Sequence, residues 1–218
     1  MKAWTHKLKI YFTNRTFVLS VALGFVFLFA SLVINFYAGV YATDHVTGSV
    51  GDIVLSNIPV FDVDGIFVWG PLVLWAFVAW LCLEEPQRIP YVLKSITLFI
   101  LIRSAFVTMT HIGPYPTEIA ISTGTAFIRY FSSGNDLFFS AHTGLPFLMA
   151  MLFYKDKVLR VFFIFSAIFF GVVVLLGHLH YTIDVMSAFF ITYAISKISE
   201  RFFPTDAKLF ESGLAVKR

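Results

Sequence analysis

Charge is what this sequence has least of. Only 13% of its 218 residues are Asp, Glu, Lys or Arg, while 58% are hydrophobic; soluble domains carry about 25% charged residues. A soluble fold of this length cannot hide apolar runs as long as 17–42 or 161–177, whereas about 20 apolar residues suffice to cross a bilayer. Lipid is therefore the expected solvent. Cysteine is nearly absent: Cys82 stands alone, which excludes an intrachain disulfide and leaves the redox compartment unread. No internal repeat and no low-complexity linker divides the chain, so 1–218 is expected to be one membrane domain.

The formal charge of +3 and pI near 9.0 would suit a nucleic-acid partner, but the basic residues sit in short clusters at the ends of apolar segments. Such clusters set membrane orientation, and no nucleic acid is expected. The beginning of the chain, with Lys2, Lys7, Lys9 and Arg15 before an apolar run, imitates a secretory signal, and Val40-Tyr41-Ala42 imitates its cleavage site. The run exceeds the roughly 7 to 15 residues of a signal core, so it is expected to stay as a helix.

Apolar runs between polar breaks predict an all-α, polytopic bundle of six transmembrane helices, at 17–41, 66–83, 91–110, 138–154, 158–177 and 182–203. The breaks have physical causes. Glu84-Glu85-Pro86-Gln87-Arg88 and Lys155-Asp156-Lys157 are tight polar turns, and Pro114 and Pro116 stop the third run. With a cytoplasmic N-terminus, the inner segments carry Lys2, Lys7, Lys9, Arg15, Arg88, Lys94, Lys155, Lys157, Arg160, Lys197, Arg201, Lys208, Lys217 and Arg218, and the outer loops only Arg129. Basic residues resist translocation, so this asymmetry predicts both termini inside. The outer segments, 43–65 and 111–137, are long enough to cap a site; the first is expected to be a short interfacial helix or a folded loop.

Few ionisable side chains interrupt the runs, and each marks a candidate site because such a group is costly in lipid. They are Arg103, His142, His178, His180 and Asp184, all toward the outer leaflet in this orientation. His180 and Asp184 are four apart, one face of a helix that begins near Tyr181. The carboxylate then fixes one imidazole nitrogen and leaves the other as nucleophile or base. His142 supplies a second imidazole, so that one ring attacks phosphorus while the other, protonated, donates to the departing alkoxide. The guanidinium of Arg103 suits phosphate oxygens; the structural alternatives are a pair with Asp136, Glu118 or Asp184, or snorkelling to the interface. Ser140, Thr143 and the amides opening the fourth helix add donors, because helix N-termini favour anions. His178 either binds phosphate or caps a helix end. His6, His45 and His111 read as packed, hydrogen-bonded residues.

Two stretches carry a resemblance. Ser133-Gly134-Asn135-Asp136-Leu137-Phe138-Phe139-Ser140-Ala141-His142-Thr143 resembles the C-G-D-x-x-x-S-G-H-T motif of sphingomyelin synthases, and Gly177-His178-Leu179-His180-Tyr181-Thr182-Ile183-Asp184-Val185 is similar to their H-Y-[ST]-x-D-V motif. These enzymes form a branch of the type-2 phosphatidic-acid phosphatases, six-helix proteins with two-histidine, one-aspartate chemistry. The resemblance spans about 103–192. It implies His180 as nucleophile through a phosphohistidine, Asp184 as its orienting carboxylate and His142 as acid and then base. It implies no metal and no cofactor. Asp136 and Tyr181 join Arg103, Ser140, Thr143 and His178 as candidate substrate contacts. The departures are Ala141 for glycine, Ser133 for cysteine and Asn135 between Gly134 and Asp136; the wider group's K-x6-R-P motif is absent, and Val174 replaces its arginine six residues before the second histidine.

Three functions fit. The first is a head-group phosphotransferase with a membrane phospholipid donor and a lipid alcohol such as ceramide as acceptor. The second is a lipid phosphatase or phospholipase C-like hydrolase that uses water. The third is a non-catalytic membrane protein: a transporter, a scaffold or a metal site of His142, His178, His180 and Asp184. Oligomeric state is not legible.

Overall fold

The computed structural model describes residues 2–122 and 137–214, and among them every regular element is helical apart from one backbone bridge between Gly48 and Ile112. In chain order the helices are α1 (Lys2–Thr13), α2 (Arg15–Asp44), α3 (Asp64–Glu84), α4 (Ile89–Met109), α5 (Ala141–Leu152), α6 (Lys157–Leu176), α7 (Thr182–Phe202) and α8 (Pro204–Ser212). Asp136, Arg129 and the Ser133-to-Asn135 part of the first motif lie outside the described residues.

Each of the six expected helices is present, with shifted ends. Asn14 starts α2 earlier than its apolar run does, because its side-chain oxygen accepts from the Phe17 amide. Asp156 caps α6 in the same way, accepting from the Val158 and Leu159 amides. The expected start of the fourth helix at 138 moves to Ala141, because Phe139 adopts a positive φ of 27° that no right-handed helix contains. The polar helices α1 and α8 carry no long apolar run, so hydropathy gave no sign of them. The segment between α2 and α3 is a folded loop with a single 3-10 turn at Leu55–Asn57.

Four segments are long and apolar enough to cross a membrane: α2, α3, Pro86–Met109 and α6. The other two expected crossings differ for separate reasons. Helix α5 has 12 residues, about 18 Å at 1.5 Å per residue, against a hydrocarbon core of about 30 Å. Helix α7 has 21 residues, but Asp184, Lys197, Glu200 and Arg201 lower its hydropathy. Its buried face, which includes Asp184, Ala188, Thr192, Ser196 and Ser199, turns toward other helices rather than lipid.

Helix α2 packs along α4, α5 lies against α6 and α7, α7 also meets α4, and α3 meets α6. The core between them is built from side chains such as Phe99, Phe139, Leu148, Met149, Phe163 and Ile195. The chain runs up and down, so the loops at 45–63 and 110–122 share one end with the heads of α5 and α7. At the opposite end, Trp4 Nε1 donates to the Leu83 carbonyl, and Lys94 Nζ reaches Asp206 Oδ2 at 2.5 Å and Ser20 Oγ at 2.7 Å, fastening α8 to α4 and α2.

Candidate active site

His180 lies one residue outside α7, just before its N-cap Tyr181. Its Nδ1–H donates to Asp184 Oδ2 at 3.3 Å, and the same carboxylate oxygen accepts the Tyr181 amide at 3.0 Å. Asp184 therefore caps the helix and orients the imidazole with one oxygen, leaving His180 Nε2 for chemistry. Asp184 is fully buried, and its Oδ1 has no hydrogen-bond partner among the described residues.

His142, in the first turn of α5, arrives from the other motif. Its ring stacks on Phe67 at 4.0 Å, and its Nε2–H donates to the Phe67 carbonyl at 3.3 Å, so Nδ1 is its free position. Backbone contacts just before it bring the other candidates close: the Phe139 carbonyl accepts from Arg103, and the Ser140 amide donates to the Asp184 carbonyl. Arg103 comes from α4 and is buried; its Nε donates to the Phe139 carbonyl at 3.2 Å and one terminal nitrogen reaches Asn35 Oδ1 at 3.5 Å. The left-handed backbone at Phe139 thus presents its carbonyl to Arg103 and turns the chain into Ser140, the N-cap of α5. Residues held in such backbone regions collect at functional sites.

Ser140 Oγ, Thr143 Oγ1 and His178 Nε2 are buried and have no hydrogen-bond partner among the described residues. Buried polar atoms are nearly always paired, so these orphans are candidates for ligand contacts. His178 takes the left-handed region too, with φ 53°, and its other nitrogen hydrogen-bonds Thr117 Oγ1 at 2.5 Å. Tyr181 is a structural strut: its hydroxyl donates to the Gly113 carbonyl at 2.8 Å and accepts from the Val50 amide at 3.2 Å. An apolar cavity of about 140 Å³, formed by Pro71, Leu74, Trp75, Leu145, Pro146 and Phe170, adjoins His142.

His45 and His111 stand apart from this cluster. The His45 ring stacks on Tyr41 at 4.1 Å and lies 5.7 Å from His111. Two residues that touch the site were not among the candidates read from the sequence. Asn35 accepts from Arg103 and Ser104, and as the lone amide in the first apolar run it was a usable signal. Asp52, on the loop before α3, accepts from Thr182; nothing local marks it. Among the described residues, no group of three or more His, Cys, Asp or Glu side chains is arranged to hold a metal ion.

Residues 133–200 match the family model described as PAP2 superfamily C-terminal. That span contains α5, α6 and most of α7, and with them His142, His178, His180 and Asp184; Arg103 and Asp52 lie outside it. The match covers less than half of the chain; together with four helices long and apolar enough to cross a membrane, it supports an integral membrane protein with a region similar to the type-2 phosphatidic-acid phosphatase superfamily. No curated protein and no solved structure matches the chain.

Proposed function

We propose that this protein is a six-crossing membrane enzyme that transfers a phospho-head group from a glycerophospholipid to a lipid alcohol such as ceramide, in the manner of sphingomyelin synthases. What supports the reading is that the Phe139 carbonyl holds Arg103 and the Ser140 amide holds the Asp184 carbonyl, which brings the segment before His142, the His180–Asp184 pair and Arg103 together at one end of the bundle, with an apolar cavity beside His142.

His180 Nε2 attacks phosphorus while Asp184 holds Nδ1–H. The bond from phosphorus to the glyceride oxygen breaks, and protonated His142 gives its proton through Nδ1 to that oxygen, releasing diacylglycerol. Neutral His142 then takes the proton of the acceptor hydroxyl, whose oxygen displaces His180 from phosphorus. Arg103, Ser140, Thr143, His178 and the first-turn amides of α5 hold the non-bridging oxygens as charge grows on them; Asp136, in the first motif, is a further candidate contact. Water in place of the lipid alcohol gives hydrolysis. The sphingomyelin-synthase-like motifs and Val174 support transfer. Basic residues concentrated at the termini and inner turns support both termini in the cytoplasm and the site toward the extracytoplasmic or lumenal face.

The test is purified protein in mixed micelles with labelled phosphatidylcholine or phosphatidylethanolamine, with and without ceramide, all products resolved by mass spectrometry. A new sphingophospholipid means transfer, and a free phosphorylated head group means hydrolysis. His180→Ala abolishes diacylglycerol release; undiminished release in that variant refutes the assignment.

A further inference from the structure

We propose that Asp52 is a positioning residue for the nucleophile: from the loop before α3 it holds the backbone that carries His180, so that the ring stays on Asp184. The inference rests on the reading of His180 as nucleophile.

His180 needs such a brace. It precedes α7, so the helix's own hydrogen-bond ladder does not fix it. Asp184 secures it from inside the helix, through Tyr181 N and His180 Nδ1. Asp52 secures the next residue from outside: its Oδ2 accepts the Thr182 amide at 2.6 Å and its Oδ1 the Thr182 hydroxyl at 2.9 Å. The two carboxylates thus grip consecutive backbone amides immediately after His180, and Asp52 does so across 130 positions of sequence.

Asp52 is itself held. Its Oδ1 also accepts the Val54 and Leu55 amides at 2.9 and 3.1 Å, while its carbonyl accepts from the Ser56 amide and hydroxyl. The loop around it is tied by Val50 N to Tyr181 Oη, Gly113 N to the Gly48 carbonyl and Phe61 N to the Leu176 carbonyl. All four partners of the side chain are donors, which suits a carboxylate and not an amide, since the amide nitrogen of Asn would face a donor. Burial opposes ionisation of Asp52, but the hydrogen bonds from Thr182, Leu55 and Val54 outweigh it and keep the carboxyl below its ordinary range. The brace is therefore anionic at neutral pH.

A plain helix cap and a positioning residue predict different results for Asp52→Asn in the full-length protein. Loss of a cap lowers thermal stability and leaves turnover per folded molecule intact. Loss of alignment lowers kcat about 10- to 100-fold, as displacements of the order of 1 Å do at reacting centres, with KM within about twofold. Diacylglycerol release is measured well below the melting temperature and normalised to the folded fraction. Amide exchange across 179–184 is measured beside it and is expected to quicken at Thr182. If Asp52→Asn does not fold, Thr182→Val removes only the 2.9 Å hydroxyl bond, with an expected kcat loss of about 3-fold at unchanged KM. Unchanged kcat in the variant that folds overturns the proposal, whatever its stability. A wild-type protein that turns over no phospholipid defeats the functional reading itself, which separates the two failures.

Discussion

The backbone amide of Ser140 donates to the carbonyl of Asp184 at 3.1 Å. Through that bond the head of α5 is fastened to the first turn of α7, and the two motifs meet on one platform. The bond ties the backbone two residues before His142 to the backbone of Asp184. The Ser140 hydroxyl takes no part in the fastening.

Ser140→Ala should therefore separate stability from activity. The hydroxyl is fully buried and has no partner among the described residues, so the resting protein gives up no described hydrogen bond when it is removed. The melting temperature is expected to hold or rise slightly, while kcat/KM falls about 10-fold if the hydroxyl serves a developing oxyanion. Thermal melting and initial rates on the same preparation check both; a variant that loses stability and keeps its rate contradicts the role.

Arg103 should tolerate neither removal nor replacement by lysine. Its Nε is engaged with the Phe139 carbonyl, so guanidinium geometry positions the rest of the fork. Arg103→Leu is expected to lower kcat/KM by about 10²- to 10³-fold and Arg103→Lys by at least about 10-fold, because an ammonium keeps the charge without the fork. Steady-state kinetics with a short-chain phospholipid measure both.

A phosphohistidine mechanism leaves a chemical trace. Brief incubation with a phosphate-labelled donor is expected to label the wild-type protein with an acid-labile, base-stable group, and His180→Ala is expected to take up none. Because imidazole supplies the nucleophile, EDTA should not reduce the rate. Loss of activity on chelation, restored by zinc, would favour a metal site instead.

The acid limb of stability should carry the mark of Asp52. Its carboxyl is held below the ordinary value of 3.8, despite the opposing effect of burial, by hydrogen bonds from Thr182, Leu55 and Val54. A depressed folded value means stabilisation that is fully present above the unfolded value and lost as pH falls through the folded one. Wild-type protein should therefore be insensitive through this group down to about pH 4 and lose melting temperature below it. Asp52→Asn should start lower and show a shallower fall over that range. Melting curves at stepped pH decide the matter.

The helices and the candidate trio of His142, His180 and Asp184 were legible for the same reason: lipid makes every long apolar run and every buried charge conspicuous. Asn35 was visible on those terms. What was illegible depends on contacts distant in sequence or on local backbone. Asp52 is one of several acidic residues in a polar loop, and only folding across to Thr182 gives it meaning. The start of α5 at Ala141 follows from the left-handed Phe139, which no hydropathy pattern encodes. Helices α1 and α8 are too polar to register as runs, and α8 is secured by Lys94 and Asp206, which the charge pattern treats only as an inner cation and an acid.

Gly144 shows how little space the platform leaves. A Cβ there would lie 2.7 Å from two atoms of the Phe99 ring and 2.9 Å from Thr192 Oγ1. Phe99 cannot retreat, since it is fully buried and packs edge-on against Phe139 at 5.3 Å, the residue whose carbonyl holds Arg103. Gly144→Ala should consequently cost about 1–3 kcal/mol, the usual range for overpacking. It should also disturb catalysis, because the pressure on Phe99 is passed to Phe139, against which it packs. Melting temperature and kcat measured together test the coupling: a destabilised Gly144→Ala with wild-type turnover would mean that the α4–α5 contact is a packing seam independent of the site.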